Sequence, residues 1–320
     1  MRTGLVLSIA TVLLMLGVLE LATRWLFVDL GSTADNTSYF AERWRATHEG
    51  GLNHYGFRDN EIAGRTPGVL RLAVIGDSYT YGQGIAREDR LTDLLDQALG
   101  PEVEVLNFGV PGADYPEHAA NLALALEVAE PDFLILQWLF NDVREPGDDG
   151  GRLRSQPLLA TLHGWLQPRS ALYFMARQAF TALRDDLGLL PPPNTSYRPY
   201  LDPEGEPARR ARQRLEQVLD IAAEAGVPLA MVLWARAADV AADPAAGDPG
   251  GVSLDPLFEQ VLAVCEERDL PCLDLRPALR QAPPDASLVV NRFDPHPSAF
   301  ANRLAATAVI PWLEPLLGSR

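Results

Sequence analysis

No lysine occurs anywhere in the 320 residues, so all 27 basic side chains are arginine. That absence removes chemistry needing a primary amine: a Schiff base, a Ser-Lys dyad and a Walker-type phosphate loop are all excluded. Cysteine is nearly absent as well. Cys265 and Cys272 have none of the CxxC or Cys/His spacing of a metal or redox site. They read as ordinary buried thiols. A disulfide between them would demand close, aligned Cβ atoms, whereas one falls late in a helical stretch and the other opens a strand. Positive charge is also short: 43 acidic residues leave a formal net charge of -16, and no basic stripe interrupts it. Nucleic acid is therefore not an expected partner, because a phosphate backbone is bound by clustered cations. What remains is globular, with 47% hydrophobic residues and length for one good-sized domain or two small ones.

One long apolar run stands out. From Gly4 to Leu19 the chain is almost wholly apolar, and it continues past Glu20 to Leu21, Ala22, Trp25, Leu26 and Phe27. Spanning a bilayer takes about 20 residues, and Trp25 and Arg24 suit the interface. Residues 1–28 are read as a membrane anchor or signal-anchor helix. The rival is a cleaved signal peptide, but no small-x-small site closely follows the run. Arg2 before the span and Asp29 after it place the body outside the cytoplasm by the positive-inside rule, with Arg24 pulling the other way. Residues 29–67 read as a stalk. It contains Asn53-His54-Tyr55-Gly56-Phe57-Arg58-Asp59, a turn-rich stretch expected to pack on the domain.

From residue 68 to 320 short apolar runs alternate with helical stretches. Strands are predicted at Leu70 to Ile75, Val103 to Leu106, Phe133 to Leu136, Leu229 to Leu233 and Cys272 to Leu275. Helices are predicted around Arg90 to Leu99, Glu117 to Val128, Ala208 to Ala225, Leu257 to Arg268 and Ser298 to Leu313. This is the α/β pattern, with a parallel sheet covered on both faces. The section from about 144 to 207 breaks the alternation and reads as an insertion or lid. Open parallel sheets place ligands beyond the carboxyl ends of their strands. Three polar groups stand there: Gly76-Asp77-Ser78, Asn107 to Gly112, and Asn141-Asp142.

A serine nucleophile needs a base within reach, a group to orient that base, and donors for the oxyanion. Ser78 ends a buried strand in a glycine turn. Position 80 is Thr, so this is not the G-x-S-x-G elbow. Gly76-Asp77-Ser78-Tyr79-Thr80 instead resembles the first block of the SGNH (GDSL-like) hydrolases. Asn107-Phe108-Gly109-Val110-Pro111-Gly112 resembles the second, with Gly112 at the oxyanion position. Leu139-Phe140-Asn141-Asp142 resembles the third, with Leu139 where the family has glycine. Asp294-Pro295-His296-Pro297 resembles the last, with one residue fewer between acid and base than usual. Asp294 and His296 each precede a proline, which favours extended backbone, and residues two apart in an extended chain share a face. The other histidines, His48, His54, His118 and His163, have no carboxylate at useful spacing in the sequence.

The resemblance spans about Leu70 to Pro311 and implies a three-layer α/β/α fold on a mostly parallel, five-stranded, flavodoxin-like sheet. It implies a serine esterase with Ser78, Asp294 and His296 catalytic, and Ser78, Gly112 and Asn141 around the oxyanion. No metal or organic cofactor is implied. The expected partners are a small-molecule or glycan acyl ester and, through the N-terminal helix, a membrane. The tethered site leaves two further readings open: an O-acyltransferase acting on a cell-envelope glycan, and a catalytically silent binding module.

Overall fold

The computed structural model describes residues 2–144, 157–192, 194–240 and 251–318. In chain order the elements are α1 (Arg2–Leu26), α2 (Tyr39–His48), β1 (Leu70–Gly76), α3 (Ser78–Tyr81), α4 (Leu91–Leu99), β2 (Val103–Gly109) and α5 (Tyr115–Ala129). There follow β3 (Phe133–Trp138), α6 (Pro157–Leu166), α7 (Ala171–Asp186), α8 (Glu206–Ala225), β4 (Leu229–Leu233) and α9 (Ala237–Val240). The chain closes with α10 (Asp255–Glu267), β5 (Cys272–Asp274), α11 (Arg276–Leu279), β6 (Val289–Asn291), β7 (Asp294–Pro297) and α12 (Ala299–Gly318).

Two compact units divide the chain. The first comprises Met1–Thr47 and Asp149–Pro191, the second His48–Asp148 and Pro192–Arg320. In the first unit α1 is long and apolar enough to cross a membrane. Its lower end is bonded to the segment that opens α7: the Glu20 carboxylate accepts from Ser170 Oγ at 2.7 Å and from the Ala171 and Leu172 amides at 3.0 Å. Phe40 of α2 stacks edge-on against Phe174 of α7, and both are buried. Of the insertion expected at about 144–207, residues 157–191 thus belong to this unit, while 145–156 and 193 lie outside the described residues.

The second unit is a three-layer α/β/α domain. Its five strands run parallel in the order β2-β1-β3-β4-β5. This is the flavodoxin-like order, and β1, between β2 and β3, marks the point where the order reverses. β3 and β4 are buried along their whole length and β1 from its second residue, as expected of strands covered on both faces. Helix α4 packs on α12 and α5 on α8 to flank the sheet. The latter half of the expected stalk belongs here too, since Phe57 and Arg58 are buried in this unit.

The two cysteines correct the sequence reading. Cys265 and Cys272 form a disulfide with a Cα–Cα distance of 6.2 Å. Helix α10 ends at Glu267, and Asp269 then takes φ +50°, so that the Leu270 amide donates to the Cys265 carbonyl at 2.8 Å. That reversal brings the end of the helix beside the start of β5, a proximity that helix and strand propensities do not reveal.

Candidate active site

The local sequence around Ser78 explains its presentation. β1 ends at Gly76, where a Cβ would collide with the side chains of Thr80 and Gln137, so only glycine permits this approach. Asp77 caps the short helix α3: its Oδ1 accepts from the Tyr79 amide at 2.9 Å. Ser78 is therefore the first residue of a helix at the carboxyl end of a central strand.

The expected partners of Ser78 are adjacent to it. Its Oγ lies 2.9 Å from His296 Nε2, and His296 Nδ1 lies 2.5 Å from Asp294 Oδ1. Both partners come from β7, which pairs antiparallel with β6 in a ribbon absent from the sequence expectation. An extended ribbon is why two residues only two apart meet on one face. The missing spacer residue is thereby absorbed. An ionised carboxylate only accepts, so it selects the tautomer with the proton on Nδ1, leaving Nε2 free to accept from the serine. The Tyr79 ring packs edge-on to the imidazole at 5.7 Å and fixes its tilt. Asp294 is completely buried, and its Oδ2 has no hydrogen-bond partner among the described residues. The backbone at Gly84, φ +82°, covers it so closely that a Cβ there would come within 2.8 Å of Oδ2.

Asn141 stands in the turn after β3, and its Nδ2 donates to Asp77 Oδ2 at 3.2 Å, beside the serine. An amide nitrogen carries two protons, so one remains to donate elsewhere. Leu139, where the family pattern has glycine, takes φ -131° and ψ 150°, extended backbone open to any residue. The substitution thus leaves the turn intact. Gly112 lies in the turn after β2 at φ +80° with open space where a Cβ would stand. The Val110 amide donates to the Gly76 carbonyl at 3.0 Å, tying that turn to the strand that leads into Ser78. Among the described residues Gly112 itself makes no hydrogen bond to Ser78, Asn141 or His296.

Two features escaped the sequence. His118 does have a carboxylate: its Nε2 lies 3.2 Å from Asp142 Oδ1, both side chains being fully buried. The other Asp142 oxygen accepts from the Leu139 amide at 3.1 Å, so this carboxylate props the turn that carries Asn141. Burial pushes the Asp142 carboxyl up to about 6, against the pull of His118. Burial works to lower the His118 pKa, but the surrounding carboxylates, Asp142 foremost with Asp77 and Asp114, together outweigh it and the net direction is up. The second feature is Arg58, from the turn-rich stretch. Its guanidinium donates to the carbonyls of Gly82 at 2.8 Å, Ile85 at 3.0 Å, Glu49 at 2.9 Å and His48 at 3.1 Å. It thereby pins the loop that leaves α3 and covers Asp294. Burial lowers its pKa to about 10, with the neighbouring Arg90 adding repulsion. On the other side of α3, Asn107 Nδ2 donates to the Thr80 carbonyl at 2.6 Å. The only signal for Arg58 in the sequence was its turn-rich setting.

A model of the GDSL-like lipase/acylhydrolase family matches residues 74–304. The chain belongs to that family. It is accordingly a hydrolase acting on ester bonds. Similar solved structures include a member of the lipolytic G-D-S-L family from Veillonella parvula DSM 2008, at 15% identity, TM-score 0.47, and covering 76% of this chain and 97% of that one. A carbohydrate acetylesterase family member from Sinorhizobium meliloti is 18% identical with TM-score 0.44, covering 78% and 100%. A lipase/acylhydrolase from Enterococcus faecalis is 15% identical with TM-score 0.46, covering 78% and 97%. Comparison with curated proteins found no significant match. The matched span of residues 74–304 includes Ser78, Gly112, Asn141, Asp294 and His296.

Proposed function

We propose that this GDSL-like hydrolase cleaves O-acyl esters, acetyl or longer, of a carbohydrate, lipid or other small molecule, with Ser78 as nucleophile. The observation that carries the reading is the continuous line from Ser78 Oγ through His296 to Asp294. In the proposed cycle Ser78 Oγ attacks the acyl carbon while its proton passes to His296 Nε2, and Asp294 steadies the imidazolium through Nδ1. The carbonyl oxygen becomes an oxyanion, held by the Ser78 and Gly112 amides and by the free Nδ2 proton of Asn141. His296 returns the proton to the leaving alcohol. Water then attacks the acyl-serine, giving its proton to His296, which passes it to Ser78 Oγ as the acyl–oxygen bond breaks and the acid is released.

The site is proposed to work on a membrane tether, with α1 retained as an anchor and the body outside the cytoplasm. Support comes from Glu20, which caps the start of α7, and from Arg24 Nη2, which donates to the Arg169 carbonyl at 2.7 Å. Cleavage after the apolar run would remove both contacts. The test of the chemistry is Ser78→Ala: kcat/KM on a short-chain acyl ester should fall by about a thousand-fold or more. Activity at the parental rate in the purified variant would overturn the assignment.

A further inference from the structure

The first unit carries a second apolar surface besides α1. Helix α6, Pro157–Leu166, contains no aspartate, glutamate, lysine or arginine. Leu158, Leu159, Leu162 and Trp165 project from it with 80%, 53%, 49% and 58% of their surface exposed. At 3.6 residues per turn these positions fall within about one third of the helix circumference. The far half of α7 and the residue that caps it repeat the pattern: Phe180, Leu183 and Leu187 recur at helical spacing and are all more than half exposed. Soluble monomers seldom leave contiguous apolar faces of this kind uncovered.

We infer that these faces of α6 and of the far half of α7 lie in the headgroup–acyl boundary of the same bilayer that α1 spans. The inference rests on α1 being a retained span. What identifies lipid as the occupant is continuity. The turn between α6 and α7 is fastened to the last two turns of α1: Arg24 bonds the Arg169 carbonyl, and Glu20 bonds Ser170, Ala171 and Leu172. The charge of Glu20 is matched by Arg24 at 2.6 Å, so the junction presents a neutralised pair where the span meets water. Residues tethered beside a bilayer reach it without further loss of translational freedom. The side-chain types also fit. The Arg169 guanidinium lies 5.7 Å from the Trp165 ring and that of Arg184 lies 5.9 Å from the Phe180 ring. An aromatic body at the acyl boundary with a guanidinium reaching for the phosphates is the arrangement such interfaces favour. Interfacial helices bind through buried apolar area of this sort.

The test uses the full chain in phosphatidylcholine/phosphatidylglycerol vesicles, with an environment-sensitive fluorophore on Leu162→Cys or Leu183→Cys. The native cysteines are joined to each other and leave the new thiol unique. Val12→Cys in α1 and Arg209→Cys on α8 serve as the lipid and water references. The expected result is a blue-shifted emission at 162 and 183, quenched by lipids bearing a doxyl group near the headgroup and shielded from iodide. Iodide quenching equal to that at 209, with the label at 12 still quenched by lipid, would overturn the inference while leaving the span intact. Shielding from iodide without lipid quenching would also overturn it, in favour of a second copy of the chain covering the face. Iodide quenching at 12 would instead remove the span itself, and the inference with it.

Discussion

Among its described residues the domain holds two histidine–carboxylate pairs, and what surrounds each pair differs. In the front pair His296 and Asp294 sit on an extended ribbon with a serine hydroxyl 2.9 Å from the imidazole, and the His296 side chain keeps 12% of its surface exposed. In the back pair His118 and Asp142 are sealed from solvent on all sides, and neither His118 ring nitrogen has an aligned hydrogen-bond partner among the described residues. In the proposed mechanism the front pair passes a proton to substrate, whereas the sealed back pair only braces a turn. A buried ion pair is costly to break because the survivor is left charged without compensation.

Changes at the front pair should produce the largest effects and leave folding nearly untouched. Asp294→Asn retains the shape but favours the wrong tautomer, and should cut kcat by about 10⁴-fold with little change in Tm. Asn141→Ala comes next, with an expected loss of about 10²-fold to 10³-fold in kcat at unchanged KM, read from steady-state kinetics on an acyl ester. If Asn141→Ala raised KM alone, Asn141 would be a substrate-binding residue rather than an oxyanion donor. At the back pair the pattern inverts. His118→Gln should cost about 3 kcal/mol of stability, measured by urea unfolding, while the kcat of the folded fraction stays near the parental value. A variant that lost activity without losing stability would erase the distinction between the pairs.

The smallest effect is in pH dependence. The folded His118 pKa stands above its ordinary value because Asp142, with Asp77 and Asp114, together outweigh burial. The stability it contributes is complete below about pH 6.5 and is lost as pH rises through the raised folded value. The Tm gap between the parent and His118→Gln should therefore be widest near pH 6 and narrow toward pH 9. A gap that widened with pH would reverse the sign of the coupling.

Much of the front pair's setting is legible in the sequence alone. The strand into Ser78, the turn after β2 and the prolines that hold Asp294 and His296 extended are local features with local signals. The back pair was not readable, because His118 faces Asp142 only once α5 and the turn after β3 are packed together. Arg58 was visible as part of a turn-rich stretch but silent as to role, since its acceptors are carbonyls of His48, Glu49, Gly82 and Ile85, and a carbonyl has no side-chain signature. The disulfide failed for a related reason: it depends on the φ +50° reversal at Asp269.

The sequence by itself determined the parallel α/β domain and the apolar N-terminal helix, and it singled out Ser78, Asn141, Asp294 and His296, which the fold brings together, because hydrophobic period and turn chemistry are written in neighbouring residues. Only the tertiary structure decided which histidine meets a hydroxyl and which is sealed, how Arg58 fastens the loop over Asp294, and that residues 157–191 join α1 in one unit. Each of these depends on contacts between residues distant along the chain, and such contacts exist only after the elements have packed.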